Sequence, residues 1–443
     1  MKKKENLKRE IGLLGLSSNI INTVIGAGIF VLPAIVAANL GSASILAYVF
    51  CGILITLMML CYAEVGSKIT DTGGVYTYIE KTFGKYPGFL TATLLILATL
   101  SADAAVANAI IEIIFKLFPV VQSDIIRILF FLLLFAGLGY INIVGLKKGV
   151  GFVKLITIIK IAPLLLIIFI GFIDVDIANL KWESVPSIQQ IGATSLILFF
   201  AFTGAGSALS VSGEVRNPQK TIPRAVLLSI FIVGIIYVLV QTVAQGVLGS
   251  SLPLFTENPL GEVANQIFGP VGFTLLTIGA AVSMFGSISS KILSMPRIIF
   301  AASKDNVLPF KKLAVIHPKY TTPYIAIIAY TGVAFLFAIL GGFKQLAILS
   351  SALSLLISLG ITVATIKLRR DQKFATHVKT FKIPGGYTVP ILAFIVILWF
   401  LSNLSANKMM ALGIFIMILT IIYLIINSKI IKRLIDKKNR KNQ

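Results

Sequence analysis

Apolar residues in this chain neither alternate with polar ones nor keep to one helical face. They run on for about 20 positions at a time, the length that carries a helix across ~30 Å of hydrocarbon, with short polar joints between the runs. The ten-residue alternation of a membrane β-barrel is missing, so the pattern predicts helices whose backbone groups are satisfied within each segment. The runs make about twelve spans. In the first half they fall at Ile11–Val36, Ser44–Val65, Pro87–Phe115, Ile125–Ile143, Gly151–Phe172 and Ile191–Val211. The second half continues with Ile222–Val247, Val271–Leu293, Pro323–Leu340, Gln345–Ile366, Val389–Leu404 and Ala411–Ile426. Met1-Lys2-Lys3-Lys4 is basic, but a full span follows without a small-residue cleavage site, so a signal peptide is not expected.

Composition agrees. Of 443 residues, 57% are hydrophobic and 13% charged, with mean hydropathy +0.96, against about 45–50% and about 25% in soluble domains. The expected class is an all-α integral membrane protein. A net charge of +22 and an isoelectric point near 9.9 would suggest a phosphate-binding face in a soluble domain. Here most of the 39 Lys and Arg cluster at the termini and in alternate loops, as in Lys367-Leu368-Arg369-Arg370, Lys311-Lys312 and the tail Lys432-Arg433 to Lys441. That asymmetry predicts cytoplasmic termini in a plasma-membrane protein whose basic tail meets lipid headgroups, not nucleic acid.

Cys51 and Cys61 lie ten apart on one span, about 15 Å along a helix, too far to bridge. Both histidines, His317 and His377, fall in loops, so no metal, cofactor or histidine-based intramembrane chemistry is implied.

The first span contains Val24-Ile25-Gly26-Ala27-Gly28-Ile29-Phe30, with two glycines where a continuous helix is better served by other residues. The sixth repeats Gly-Ala-Gly within Phe202-Thr203-Gly204-Ala205-Gly206-Ser207-Ala208. Interrupted helices at matching places in two five-span halves predict inverted repeats around a substrate site. Unwinding exposes N–H and C=O groups that only a cavity or ligand can satisfy. Freed N–H groups at a half-helix start suit a carboxylate and freed carbonyls suit an ammonium, so an α-amino acid matches both. Close helix packing by small residues is the alternative. The expected organisation is an N-terminal segment (1–10), two five-helix repeats (11–172 and 188–366), two further helices (386–427) and a basic tail (428–443).

The motif VIGAGIF followed by VLP, the stretch CYAEVGSKITDTGGVYTYIEKTFG (61–84), FFAFTGAGSALSVSGEVRNPQKTIPRAV (199–226) and PRIIFAASKDNVLP (296–309) together resemble the amino acid–polyamine–organocation (APC) transporters. The resemblance implies a leucine-transporter-like 5+5 inverted repeat with broken helices 1 and 6, plus two C-terminal helices. It also implies that amides of Gly26, Ala27 and Gly28 take the substrate carboxylate. Carbonyls at Val24, Phe200 and Thr203, beside Gly204, would take the amino group, with Phe200 as an aromatic gate or an ordinary packing residue. Many members carry an acidic residue where this chain has Gly206, so a carboxylate-based mechanism at that place does not carry over.

Ionisable groups within spans are costly and usually functional. Lys160 in the fifth span matches a lysine that, in sodium-independent relatives, stands in for the sodium ion; a purely structural pin is the alternative. Asp103 in the third span and Lys291 in the eighth match pocket-lining positions, where they could pair with each other or bind substrate. Lys154 is expected to snorkel to the cytoplasmic edge, Glu112 and Lys116 to form an i,i+4 pair, and Glu214 to Pro218 to be either a gate or a solvated helix end. The expected function is secondary amino-acid transport by alternating access, as symporter or antiporter, with protons or exchange in place of sodium, by a monomer or homodimer. A polyamine or amine antiporter is the alternative within transport. A channel or receptor fits less well, since neither accounts for a zwitterion pocket.

Overall fold

The computed structural model describes residues 9–70, 73–145, 150–182, 184–371 and 380–439, without the side chains of 150–159, Ser210 and 429–439. His377 and the ends of the chain lie outside this set, as do the side chains of Lys154, Lys432 and Arg433. Among the described residues the chain is helical, and its one β-bridge joins Ile11 to Val215.

In chain order the helices are α1 (Leu13–Val24), α2 (Ala27–Leu40), α3 (Ile45–Lys68), α4 (Val75–Phe83), α5 (Lys85–Leu117), α6 (Asp124–Val144) and α7 (Val150–Gly171). They continue with α8 (Ile188–Leu198), α9 (Ala205–Ala208), α10 (Pro218–Leu248), α11 (Pro259–Lys304), α12 (Tyr324–Leu340), α13 (Phe343–Arg370), α14 (Thr388–Ser402) and α15 (Ala406–Asn439). Eight helical stretches among the described residues are long and apolar enough to cross a membrane, and α1, α12 and α14 are shorter apolar helices. These features define an integral membrane protein.

Three elements differ from the hydropathy reading. The expected span Val271–Leu293 is part of the longer α11, which bends where Gly269 leaves helical geometry at φ 68° just before Pro270; proline cannot donate to the helical ladder, and glycine tolerates the left-handed turn. The last helix begins at Ala406 and runs through Asn439, past both ends of the expected span Ala411–Ile426. Hydropathy sees only the apolar part of such a helix. Finally, α4 forms between the second and third spans, where Gly73 and Gly74 take positive φ ahead of it.

The packing separates buried helices from a lipid-facing rim. The apolar window of α5 is 89% buried and that of α15 only 6%, which places α5 at the centre of the bundle. At one end, Glu64 of α3 is 1% exposed and accepts from Arg369 Nε of α13 at 2.7 Å and from the Ile383 N–H at 3.0 Å. Lys68 adds a contact to Glu64 at 3.4 Å. A buried carboxylate with this many donors is compensated for its lost hydration. It ties α3, α13 and the segment before α14 together.

Candidate functional site

Helix α1 stops at Val24 because Ile25 (φ −69°, ψ 102°) and Gly26 (φ −134°, ψ −143°) are extended. Helix α2 restarts at Ala27 with no side-chain cap, so its first-turn N–H groups have no helical partner. Val24, Ala27 and their glycine neighbours are buried. The second interruption follows α8. The chain tightens into a 3-10 turn at Phe199–Phe202, extends at Thr203 and turns left-handed at Gly204 (φ +104°) before α9. Thr203 donates from both its N–H (3.1 Å) and its hydroxyl (2.7 Å) to the Phe200 carbonyl, and Ser207 does the same to Gly204 (3.1 and 2.7 Å). Local hydroxyl groups thus take up part of the backbone that unwinding frees.

The two interruptions touch. A Cβ on Gly28 would lie 2.6 Å from the Ala201 Cα, and one on Gly204 would lie 2.9 Å from the Thr23 carbonyl oxygen. Tyr237 of α10 spans both, its hydroxyl donating to Ala201 O at 2.9 Å and Val24 O at 3.4 Å.

Lys160 of α7 is 1% exposed, and its ammonium donates to the carbonyls of Asn22 (3.0 Å) and Ile25 (3.3 Å) at the frayed end of α1. Separately, Lys291 of α11 lies 3.3 Å from Asp103 of α5, which is fully buried, and Tyr330 of α12 donates to the other oxygen of Asp103 at 2.8 Å. One carboxylate therefore joins three helices and faces a cation.

A cavity of about 60 Å³ lies beside the second interruption. Thr203, Gly204 and Lys291 line it, together with Ser350, Ser354 and Ser358 of α13. Val24, Gly26, Ala27, Gly28, Asp103, Lys160 and Phe200 are not in its wall. Phe200 instead packs edge-on against Phe343, ring centres 5.6 Å apart. The predicted residues thus form three neighbouring groups: the joined interruptions, the Lys160 anchor and the Asp103–Lys291 pair.

Two side-chain expectations change. Glu112 pairs with Arg127 of α6 at 3.1 Å rather than with Lys116, because the bundle brings a guanidinium from the next helix within reach. At Glu214–Arg216 the backbone bridges to the segment before α1: Ile11 N–H donates to Glu214 O at 3.0 Å and Arg216 N–H to Ile11 O at 2.9 Å. Arg216 itself is exposed. The sequence reading missed Tyr237 and Tyr330, whose hydroxyls have no signature within apolar helices. It also missed the serines at 350, 354 and 358, although their four-residue spacing on one helix face was legible.

Two broken helices in contact, beside a small cavity whose mostly apolar wall carries several hydroxyl groups and Lys291, within a membrane bundle, define a membrane transporter of the broken-helix type. The chain belongs to the amino acid permease family, whose profile matches residues 11–427, within the APC superfamily that its motifs resemble. It is 32% identical over 425 residues to the serine/threonine exchanger SteT of Bacillus subtilis (strain 168), covering 93% of this chain and 94% of that one. The branched-chain amino acid permease BcaP of the same organism is 26% identical over 442 residues (96% and 94%). The methylthioribose transporter, also from that organism, is 27% identical over 452 residues (96% and 95%).

Proposed function

We propose that this protein is a secondary transporter of small neutral amino acids, working by alternating access through exchange or proton coupling and without sodium. The observation that carries the reading is the contact between the two interruptions, because free peptide groups in a membrane bundle persist only where a ligand or cavity satisfies them. The uncapped amides of Gly26, Ala27 and Gly28 hold the carboxylate. The carbonyls of Val24, Phe200 and Thr203, with Gly204 giving close backbone approach, hold the ammonium. Thr203 and Ser207 keep the Phe200 and Gly204 carbonyls occupied until substrate arrives.

Substrate charge and size follow from the neighbouring groups. Asp103 neutralises Lys291, so the wall carries no bare charge, which favours a zwitterion over a polyamine that would need Asp103 free. The small cavity offers serine and threonine hydroxyl groups within a mostly apolar wall, which favours a small side chain carrying one hydroxyl, of the kind named for SteT. Lys160 supplies the positive charge that a bound sodium ion would otherwise bring to the end of α1.

The same reading arranges about twelve spans as two inverted five-helix repeats (11–172 and 188–366) and two added helices (386–427), with both termini cytoplasmic at the plasma membrane. Purified protein in liposomes tests it. Uptake of labelled serine or threonine should saturate, be competed by unlabelled substrate, and rise when amino acid is loaded inside. Flux that stays linear with concentration would instead indicate a channel.

A further inference from the structure

Gln241 of α10 is 1% exposed, and neither its Nε2 nor its Oε1 has a hydrogen-bond partner among the described residues. Each such orphan costs about 1–3 kcal/mol, so a side chain whose only task was packing would be better as leucine or methionine. Its position along the helix narrows what it serves. Tyr237, one turn earlier on the same face, donates to the carbonyls of Val24 and Ala201 at the two interruptions. Farther along, Gln245 of α10 and Gly249 just past its end share a polar pocket with Ala37 to Leu40 at the end of α2 and with Gly41 beyond it. The two helices therefore run side by side, and Gln241, between these anchor points, stands level with the first turn of α2. That turn has the uncapped N–H groups. A second orphan, the Ser283 hydroxyl, lies one turn from Ser287, whose oxygen would sit 3.2 Å from a Cβ on Gly26.

We propose that Gln241 is a further substrate-contacting residue, its Nε2–H donating to the carboxylate held by the first turn of α2 and its Oε1 accepting from the ammonium. A side-chain amide offers a donor and an acceptor side by side, which matches the two ends of a zwitterion. The proposal rests on the amino-acid transport reading above.

The test uses full-length protein, comparing wild type with Gln241→Met by melting temperature and by uptake of labelled serine into liposomes. Gln241→Met is expected to melt at or above wild type, because two orphan atoms are removed, while its half-saturating concentration rises on the order of tenfold, as for the loss of one hydrogen bond to a charged group. Wild type should also prefer serine to serine amide, and the variant should lose much of that preference. Unchanged half-saturation would overturn the proposal, as would a lower melting temperature with unchanged affinity, which marks an internal structural role. If methionine prevents folding, Gln241→Asn carries the same comparison, since the shortened amide should weaken affinity without removing polarity. Absence of saturable uptake of any amino acid by wild type would refute the transport reading itself, an outcome distinct from a variant that matches an active wild type.

Discussion

The ammonium of Lys160 donates to two main-chain carbonyls, those of Asn22 at 3.0 Å and Ile25 at 3.3 Å, so a side chain from α7 holds the end of α1 where it comes undone. These oxygens face no solvent. They would otherwise need a cation or water, and the tethered ammonium answers that need.

Removing this anchor should have two consequences. Lys160→Ala leaves buried carbonyls unpaired, at about 1–3 kcal/mol each, and is expected to lower the melting temperature and reduce uptake at least tenfold. It should also abolish the response of uptake to a pH gradient if proton coupling runs through this lysine. Wild-type uptake should be equal in sodium and potassium buffers, and a strict sodium requirement would refute the role given to Lys160.

Contact between the interruptions leaves no room for side chains. Gly28→Ala would press a methyl to 2.6 Å from Ala201 Cα, and Gly204→Ala would combine a 2.9 Å approach to Thr23 O with a φ of +104°. Each is expected to destabilise the protein by about 1–3 kcal/mol and to abolish transport. Gly52→Ala, whose new methyl would meet nothing within 4 Å, should leave melting and uptake near wild type. Equal behaviour of the three variants would show that the breaks tolerate separation.

The Asp103–Lys291 pair should behave as one unit. Either Asp103→Asn or Lys291→Met strands a charge and is expected to cost about 3–5 kcal/mol, whereas the double variant should recover most of that stability. With Asp103 neutral, Lys291 faces the cavity alone, so Asp103→Asn should gain competition by acidic amino acids. Thermal melting and competition uptake read both effects, and additive losses in the double variant would argue against the pairing.

Outside the spans, burial raises the Glu80 carboxyl above its usual range, the Asp305 charge raises it further, and Lys85 and Lys81 offset only part of this. A carboxyl with a raised folded-state pKa binds its proton more tightly in the folded than in the unfolded chain. The contribution of this group to stability is therefore fully present below the ordinary value of 4.5 and is lost as pH rises through the raised folded-state value. Glu80→Gln should raise the melting temperature at neutral pH and make no difference near pH 4. A variant that melts lower than wild type at neutral pH would reverse the sign of this argument.

Much of this was legible in the chain because a membrane imposes simple demands. A run of about 20 apolar residues has few folds open to it, so the helical bundle could be read from Ile11 to Ile426. Glycines at 26, 28 and 204 marked the interruptions, since glycine in mid-helix is unfavourable without a reason. Charges at 103, 160 and 291 stood out against an apolar background for the same thermodynamic reason. Helix extents were less legible: hydropathy reports polarity, and the Gly269 bend and the long α15 depend on backbone hydrogen bonding.

What the amino-acid order determined alone, then, was the class of protein, the places where its helices break and the few charges that must find partners. Which partners they found was decided only by packing. Lys160 reaching Asn22 and Ile25, Asp103 shared between Lys291 and Tyr330, Glu112 turning to Arg127, and Tyr237 bridging both breaks all join residues far apart in sequence. Local propensity has no access to such distances; they are set when helices dock and buried polar groups must be satisfied at once.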